Sequence, residues 1–268
     1  MPHLTPTDPP PKRLHLLGTT IAYTTEGPAD ALPLLLIHGV PGGAFDFRYL
    51  APILAPQFRI YRLEFPGFGS VNDAHWHDYS PAGRASLINA FIKHISVQQF
   101  GLVSHSMGGP AVMTLAAEHP GVLGVALLAS PGLTRHQAMF AGQNTARLLA
   151  SSTHIPLLGP ALVRLFRKQL QKMRFRNTEA IQARDIRNIL GHIAGYNFSE
   201  LARIVPAISQ PTLVAFAEDD HMVEAKIPEA LLAALPKGVE LRFPTGGHNI
   251  QKTHAHEVAQ AIGALFPA

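Results

Sequence analysis

The sequence predicts an α/β fold: a mostly parallel twisted sheet with helices on both faces and a helical lid inserted into it. Three observations carry that expectation. Short apolar runs alternate with helix-period segments along most of the chain, the pattern of strands joined by crossover helices. Runs such as 34–37 and 125–128 are apolar at every position, as strands covered on both faces are. One long segment, 133–205, breaks the alternation and reads as helix throughout.

Taken in order, strands are expected at 20–25, 34–37, 59–63, 101–104, 122–128, 211–217 and 240–243. Helices are expected at 47–54, 81–95, 109–118, 227–234 and 254–265. Each parallel crossover should be right-handed. Within 133–205, the stretch 160–175 sets Leu162, Phe166, Leu170 and Met173 on one helical face, with Arg164, Arg167, Lys168, Lys172 and Arg174 on others. Pro156, Pro160 and Pro206 punctuate the segment. The expected organisation is a core at 1–132, a lid at 133–205 and the second part of the core at 206–268.

Composition bounds the chemistry. The chain has 268 residues, 47% of them apolar and 15% charged, which suits one large core with an insertion. Cysteine is absent, so disulfide frameworks and thiolate chemistry are excluded. That usage, with no secretory leader pattern and no apolar run long enough to span a bilayer, leads us to expect a cytoplasmic protein. The net charge of +4 is unevenly spread. Residues 133–205 hold eleven Lys and Arg against the acids Glu179, Asp185 and Glu200. We expect a solvated basic face there, with weak contact to anionic surfaces as the alternative. No aromatic interleaving or groove-reading motif points to nucleic acid. The pairs His75/His77 and His254/His256 have no carboxylate cluster beside them, so no metal site is expected.

The most informative stretch is Ser104-His105-Ser106-Met107-Gly108, which follows an apolar run and opens a helical one. A serine between a strand and a helix, with small residues two places to either side, is the pattern of a nucleophile elbow. The turn is sharp, so larger flanking side chains would strike backbone. The serine should stand exposed at the positive end of the following helix, where developing negative charge is favoured.

With His38-Gly39-Val40-Pro41-Gly42, Glu64-Phe65-Pro66-Gly67-Phe68-Gly69-Ser70, Asp220 and Gly247-His248 in the same order, the chain resembles the α/β-hydrolase superfamily, in particular lidded esterases related to meta-cleavage carbon–carbon hydrolases. The resemblance covers 14–266, with the lid matched least. It implies a nucleophile at Ser106, a base at His248 and an orienting acid at Asp220, with Glu218 and Asp219 as competitors. Some relatives place the acid one strand earlier, at Ser130 here, which cannot serve. The oxyanion hole would be the backbone N–H groups of Val40 and Met107, with His38 bracing the loop. Ser104 stands where relatives commonly have glycine, and Glu64 where they often have aspartate, bracing a turn.

The resemblance implies a serine hydrolase of the carboxylesterase class that needs no cofactor. Its substrate would be a small-molecule ester with a hydrophobic portion, lodged against an apolar lid face of Leu148, Leu149, Leu157, Leu158, Leu162 and Phe166. One alternative is a carbon–carbon hydrolase acting on a vinylogous diketo acid, with Arg135, Arg174 or Arg187 for the carboxylate. Another is a ligand-binding scaffold with little turnover. Aspartate-elbow chemistries such as dehalogenation are disfavoured by Ser106.

Overall fold

The computed structural model describes residues 8–266, apart from 72–75, 77, 137, 138, 140, 154, 157 and 173–177. Eight strands form one sheet: β1 (Lys12–Leu16), β2 (Thr19–Glu26), β3 (Pro33–Ile37), β4 (Arg59–Glu64), β5 (Phe100–His105), β6 (Val122–Leu128), β7 (Thr212–Ala217) and β8 (Gly238–Phe243). Their order is β1-β2-β4-β3-β5-β6-β7-β8. The two pairings of β2, with β1 and with β4, are antiparallel, and every other pairing is parallel. Residues 34–37 and all of β5 are buried, as strands with helices on both faces must be.

The chain winds first toward β4 and then back through β5, so β3 lies at the point where strand order reverses. There the carboxyl ends of β3 and β5 are neighbours, in a register that sets Ile37 beside Ser104. Crevices that receive ligands form at such switch points.

Ten helices complete the chain among the described residues: α1 (Ala51–Leu54), α2 (Pro81–Ile95), α3 (Gly109–Glu118), α4 (Gln143–Ser152), α5 (Leu158–Lys172), α6 (Ala183–Gly195), α7 (Phe198–Ile204), α8 (Lys226–Ala234), α9 (Ile250–Thr253) and α10 (Ala255–Leu265). Local chemistry sets their ends. Ser80 caps α2 by accepting the Gly83 N–H at 3.0 Å, and Pro81 opens its first turn. Asn197 caps α7 by accepting the Glu200 N–H at 3.0 Å. Among the described residues, no helix is long and apolar enough to cross a membrane.

Helices α4 to α7 fill the interval between β6 and β7. They share the core on one side of the sheet. Phe166, Ile186 and Ile189 belong to the same buried cluster as Leu35, Phe91 and Met113. The expected apolar face of six residues is not one face. Leu162 and Phe166 are buried and Leu149 packs against the core, whereas Leu148 and Leu158 point to solvent. Within α5, Leu162, Phe166 and Leu170 recur every four residues and are buried; Leu158 continues that spacing but is the first residue of the helix, at its exposed end. Leu157 and Met173 lie outside the described residues, as do His75, His77 and Arg174.

Two further elements differ from expectation. The helix expected at 47–54 is a 3₁₀ turn, Ala44–Phe47, followed by the short α1. The edge strand β1 has no expected counterpart.

Candidate active site

Ser106 sits at the tip of β5 with φ of 50°. This left-handed conformation is costly for a residue with a β-carbon and persists only where the surroundings enforce it. Two glycines make the enforcement possible. A β-carbon on Gly108 would lie 2.5 Å from the Ile37 carbonyl oxygen, and one on Gly39 would lie 2.8 Å from the Ser106 β-carbon. The loop after β3 therefore rests directly on the elbow, which brings the residues around Val40 to those around Met107. Ser104 is fully buried within β5, so the sheet accommodates a hydroxymethyl where glycine is commoner.

Ser106 is not exposed as a bare elbow would leave it. It keeps 6% of its surface, because the loops after β3 and β8 close against it. The Ser106 hydroxyl donates to His248 Nε2 at 2.8 Å, and His248 Nδ1–H donates to Asp220 Oδ2 at 2.8 Å. Asp220 lies beyond β7 and His248 beyond β8, so two separate strand ends deliver them to the third. The other oxygen of Asp220 accepts the N–H groups of Met222 at 2.8 Å and Val223 at 3.1 Å. Burial alone would push the Asp220 carboxyl up. The hydrogen bond and charge of His248, with those two N–H groups, hold it below the usual carboxylate range. A carboxylate so held keeps the proton on His248 Nδ1, which leaves Nε2 as the free base. In this arrangement the imidazole can take the serine proton and the carboxylate can stabilise the imidazolium that results.

The three consecutive acids are separated by what they touch. Glu218 pairs with Arg242 at the surface, and Asp219 accepts the Gly247 N–H at 2.7 Å. Only Asp220 meets the imidazole.

The region 33–255 matches the family model for the alpha/beta hydrolase fold. The chain belongs to the α/β-hydrolase family. It is similar to an uncharacterized hydrolase of Bacillus subtilis, YugF, with 24% identity over 273 residues that span 94% of this chain and 96% of the relative. It is also similar to the dihydrolipoyllysine-residue acetyltransferase component of the acetoin cleaving system of Pseudomonas putida, with 26% identity over 284 residues, 96% of this chain and 70% of that protein. Among solved structures, a hydrolase from Pseudomonas aeruginosa PA01 superposes with a TM-score of 0.77 at 16% identity, covering 96% of this chain and 98% of that one.

Around the α/β-hydrolase site, polar braces tie the converging segments together. His38 donates Nδ1–H to the Gly39 carbonyl at 2.6 Å and accepts the Phe65 N–H at Nε2, at 3.2 Å. Burial, then the charge of Arg84, lowers its pKa to about 4, so the ring stays neutral. Glu64 accepts the Ala44 N–H at 3.0 Å with one oxygen and the Ser70 N–H at 2.9 Å with the other. It spans the two turns that an aspartate there would brace.

Three braces were not anticipated from the sequence. His105 Nε2–H donates to the His248 carbonyl at 2.9 Å, and burial pushes its pKa well below the ordinary histidine value. Lys252, the third residue of α9, bonds Asp46 at 2.9 Å and so ties the His248 loop to the loop after β3. Arg84, from α2, donates to the carbonyls of Met107 and His38. Its signal was legible: a charged residue on the stripe that also carries Leu87, Ile88 and Phe91. Of the arginines considered for a substrate carboxylate, Arg135 gives its Nε–H to the Met139 carbonyl at 2.8 Å.

Proposed function

We propose that this α/β-hydrolase is a serine esterase that cleaves carboxylic esters through an acyl-enzyme on Ser106. The observation that carries the reading is the unbroken hydrogen-bonded series Asp220–His248–Ser106, with both links at 2.8 Å, ending on a strained elbow. His248 accepts the serine proton as Oγ attacks the ester carbonyl. The tetrahedral oxyanion is held by the N–H groups of Val40 and Met107, each contributing roughly 3 kcal/mol. Collapse expels the alcohol, which takes its proton from His248. Water then attacks the acyl-enzyme with the same imidazole as base and releases the acid. The helices between β6 and β7 act as a lid, and the substrate is a small ester with a hydrophobic portion.

The first test is turnover of short p-nitrophenyl esters together with labelling by a fluorophosphonate. The wild type should hydrolyse the esters and take up one label. Ser106→Ala should lose the label and about 10⁴-fold or more of kcat. Labelling without ester turnover would move the assignment to carbon–carbon hydrolysis by the same three residues. A folded protein that does neither is a ligand-binding scaffold.

A further inference from the structure

Arg84 is a buried cation whose purpose the reaction scheme above does not require. It keeps 2% of its surface. Among the described residues it forms no ion pair. Its Nη1–H donates to the Met107 carbonyl at 2.6 Å and its Nη2–H to the His38 carbonyl at 2.8 Å. The guanidinium lies over the Phe65 ring, 4.3 Å from the centroid. Nε is buried with no hydrogen-bond partner among the described residues. A charge taken out of water without a counter-ion is costly, and an apolar side chain at this point of the α2 stripe would avoid that cost.

The two carbonyls that hold it are the informative part. His38 precedes Gly39 and Val40 on the loop after β3, and Met107 follows the elbow serine. Each proposed oxyanion donor is thus within two residues of a carbonyl gripped by one guanidinium. Peptide units are planar, so gripping the His38 carbonyl fixes the Gly39 N–H and narrows where the Val40 N–H can point; gripping the Met107 carbonyl fixes the Gly108 N–H and anchors the residue whose own N–H, on the preceding peptide, is the other proposed donor. The planar fork with two donors in fixed geometry suits this task, which the single ammonium of lysine cannot match.

We infer that Arg84 is a positioning residue that locks the two halves of the oxyanion hole together across the β3–β5 crevice. The assignment rests on the esterase reading above. Its surroundings agree with a permanent cation. Burial lowers the Arg84 pKa to about 9, still charged at neutral pH. His38 and His192 beside it are held neutral, with pKa values of about 4 and about 3, by burial first and by Arg84 itself second. The guanidinium is already in place on the Met107 and His38 carbonyls before the reaction begins.

The test compares wild type, Arg84→Lys and Arg84→Met. It measures kcat and KM on p-nitrophenyl butyrate, the Ki of a trifluoromethyl ketone that forms a tetrahedral oxyanion with Ser106, and the Ki of the matching methyl ketone that binds without doing so. Thermal melts establish that each variant is folded. Arg84→Lys, which keeps the charge but replaces the planar fork with a single nitrogen, guards against Arg84→Met failing to fold.

The expected result for Arg84→Lys is a fall in kcat of about 10- to 100-fold, the scale of a small misplacement of catalytic groups. KM and the methyl ketone Ki should stay within about twofold, and the trifluoromethyl ketone should weaken in step with kcat. Equal weakening of both ketones, unchanged kcat, or loss of the folded state in Arg84→Lys would each make Arg84 a fold element only. An active wild type with active variants sinks the Arg84 assignment alone. A wild type that neither turns over esters nor reacts with the fluorophosphonate sinks it together with the esterase reading.

Discussion

The carboxyl edge of the sheet and the helices between β6 and β7 are built on different principles. At the edge, each segment that reaches Ser106 is tied by a buried or half-buried polar group: His105 to the His248 carbonyl, Lys252 to Asp46, and Glu64 to the turns at Ala44 and Ser70. The inserted helices are held chiefly by packing, through residues such as Phe166 and Ile189, with a few directional ties. Asn188 donates to the Gly67 carbonyl at 3.2 Å, and the buried Tyr196 hydroxyl donates to the Gly132 carbonyl at 2.7 Å. Their outer surface exposes Leu148, Ile155, Leu158 and Leu165. No acid occurs between Glu118 and Glu179. The contrast teaches where this hydrolase can vary. Hydrogen bonds fail within fractions of an ångström and fix the reacting groups; apolar packing is non-directional, and the outward faces of the insertion are free to change.

The hardest blow to the edge is Asp220→Asn. We expect kcat to drop by about 10⁴-fold, because the wrong imidazole tautomer is favoured, with KM little changed. A raised KM with kcat preserved would instead move the acid to Asp219 or Glu218.

Acid reaches both regions at once. Burial, the leading cause in each case, lowers the pKa of His38 and His136 to about 4, of His192 to about 3, and of His105 well below the ordinary value. The unfolded chain takes up protons at these rings near pH 6.5, whereas the folded one does so only at lower pH. Between those values the unfolded state binds more protons, so stability is full above about pH 6.5 and is lost as pH falls toward 4. Each ring contributes up to about 1.4 kcal/mol for each pH unit by which it is held down. Urea unfolding at pH 7, 6 and 5 measures this, and a constant midpoint would mean the rings are protonated in the folded state.

Phe166→Ala should cost about 3–5 kcal/mol and, because Phe166 shares its core with the sheet, should leave one cooperative unfolding transition. Two separated transitions would make the insertion an independent unit. The smallest effect belongs to its neighbour. Leu165 is 62% exposed, so Leu165→Ser should change stability by less than about 0.5 kcal/mol. A large loss there would reveal a contact on the outer face that only a bound surface could supply.

Much of this was legible along the chain. Helix 81–95 has its cap, its first-turn proline and its apolar stripe in plain view, and the elbow announces itself through Ser106 and Gly108. The strand β1 was not legible. Its five residues, KRLHL, are mostly half-exposed or exposed at the sheet's edge, and they become a strand only because Arg13 and Leu14 find Ala22 and Ile21 opposite. The helix expected at 47–54 begins only at Ala51, because the chain before it is a 3₁₀ turn, Ala44–Phe47, held by Glu64 accepting the Ala44 N–H from twenty residues away. For the same reason Lys252 and Asp46 could not be paired from sequence: their contact spans most of the chain.

By itself the sequence determined which chemical groups the protein owns and the order in which strand ends present them, since residue type and periodicity are local properties. Only the tertiary structure decided which of three adjacent acids faces His248, that Ser106 is shielded, and that a lone guanidinium bridges two loops. Those are matters of distance between remote segments, and hydrogen bonds and buried charges depend on distance in a way that no local pattern encodes.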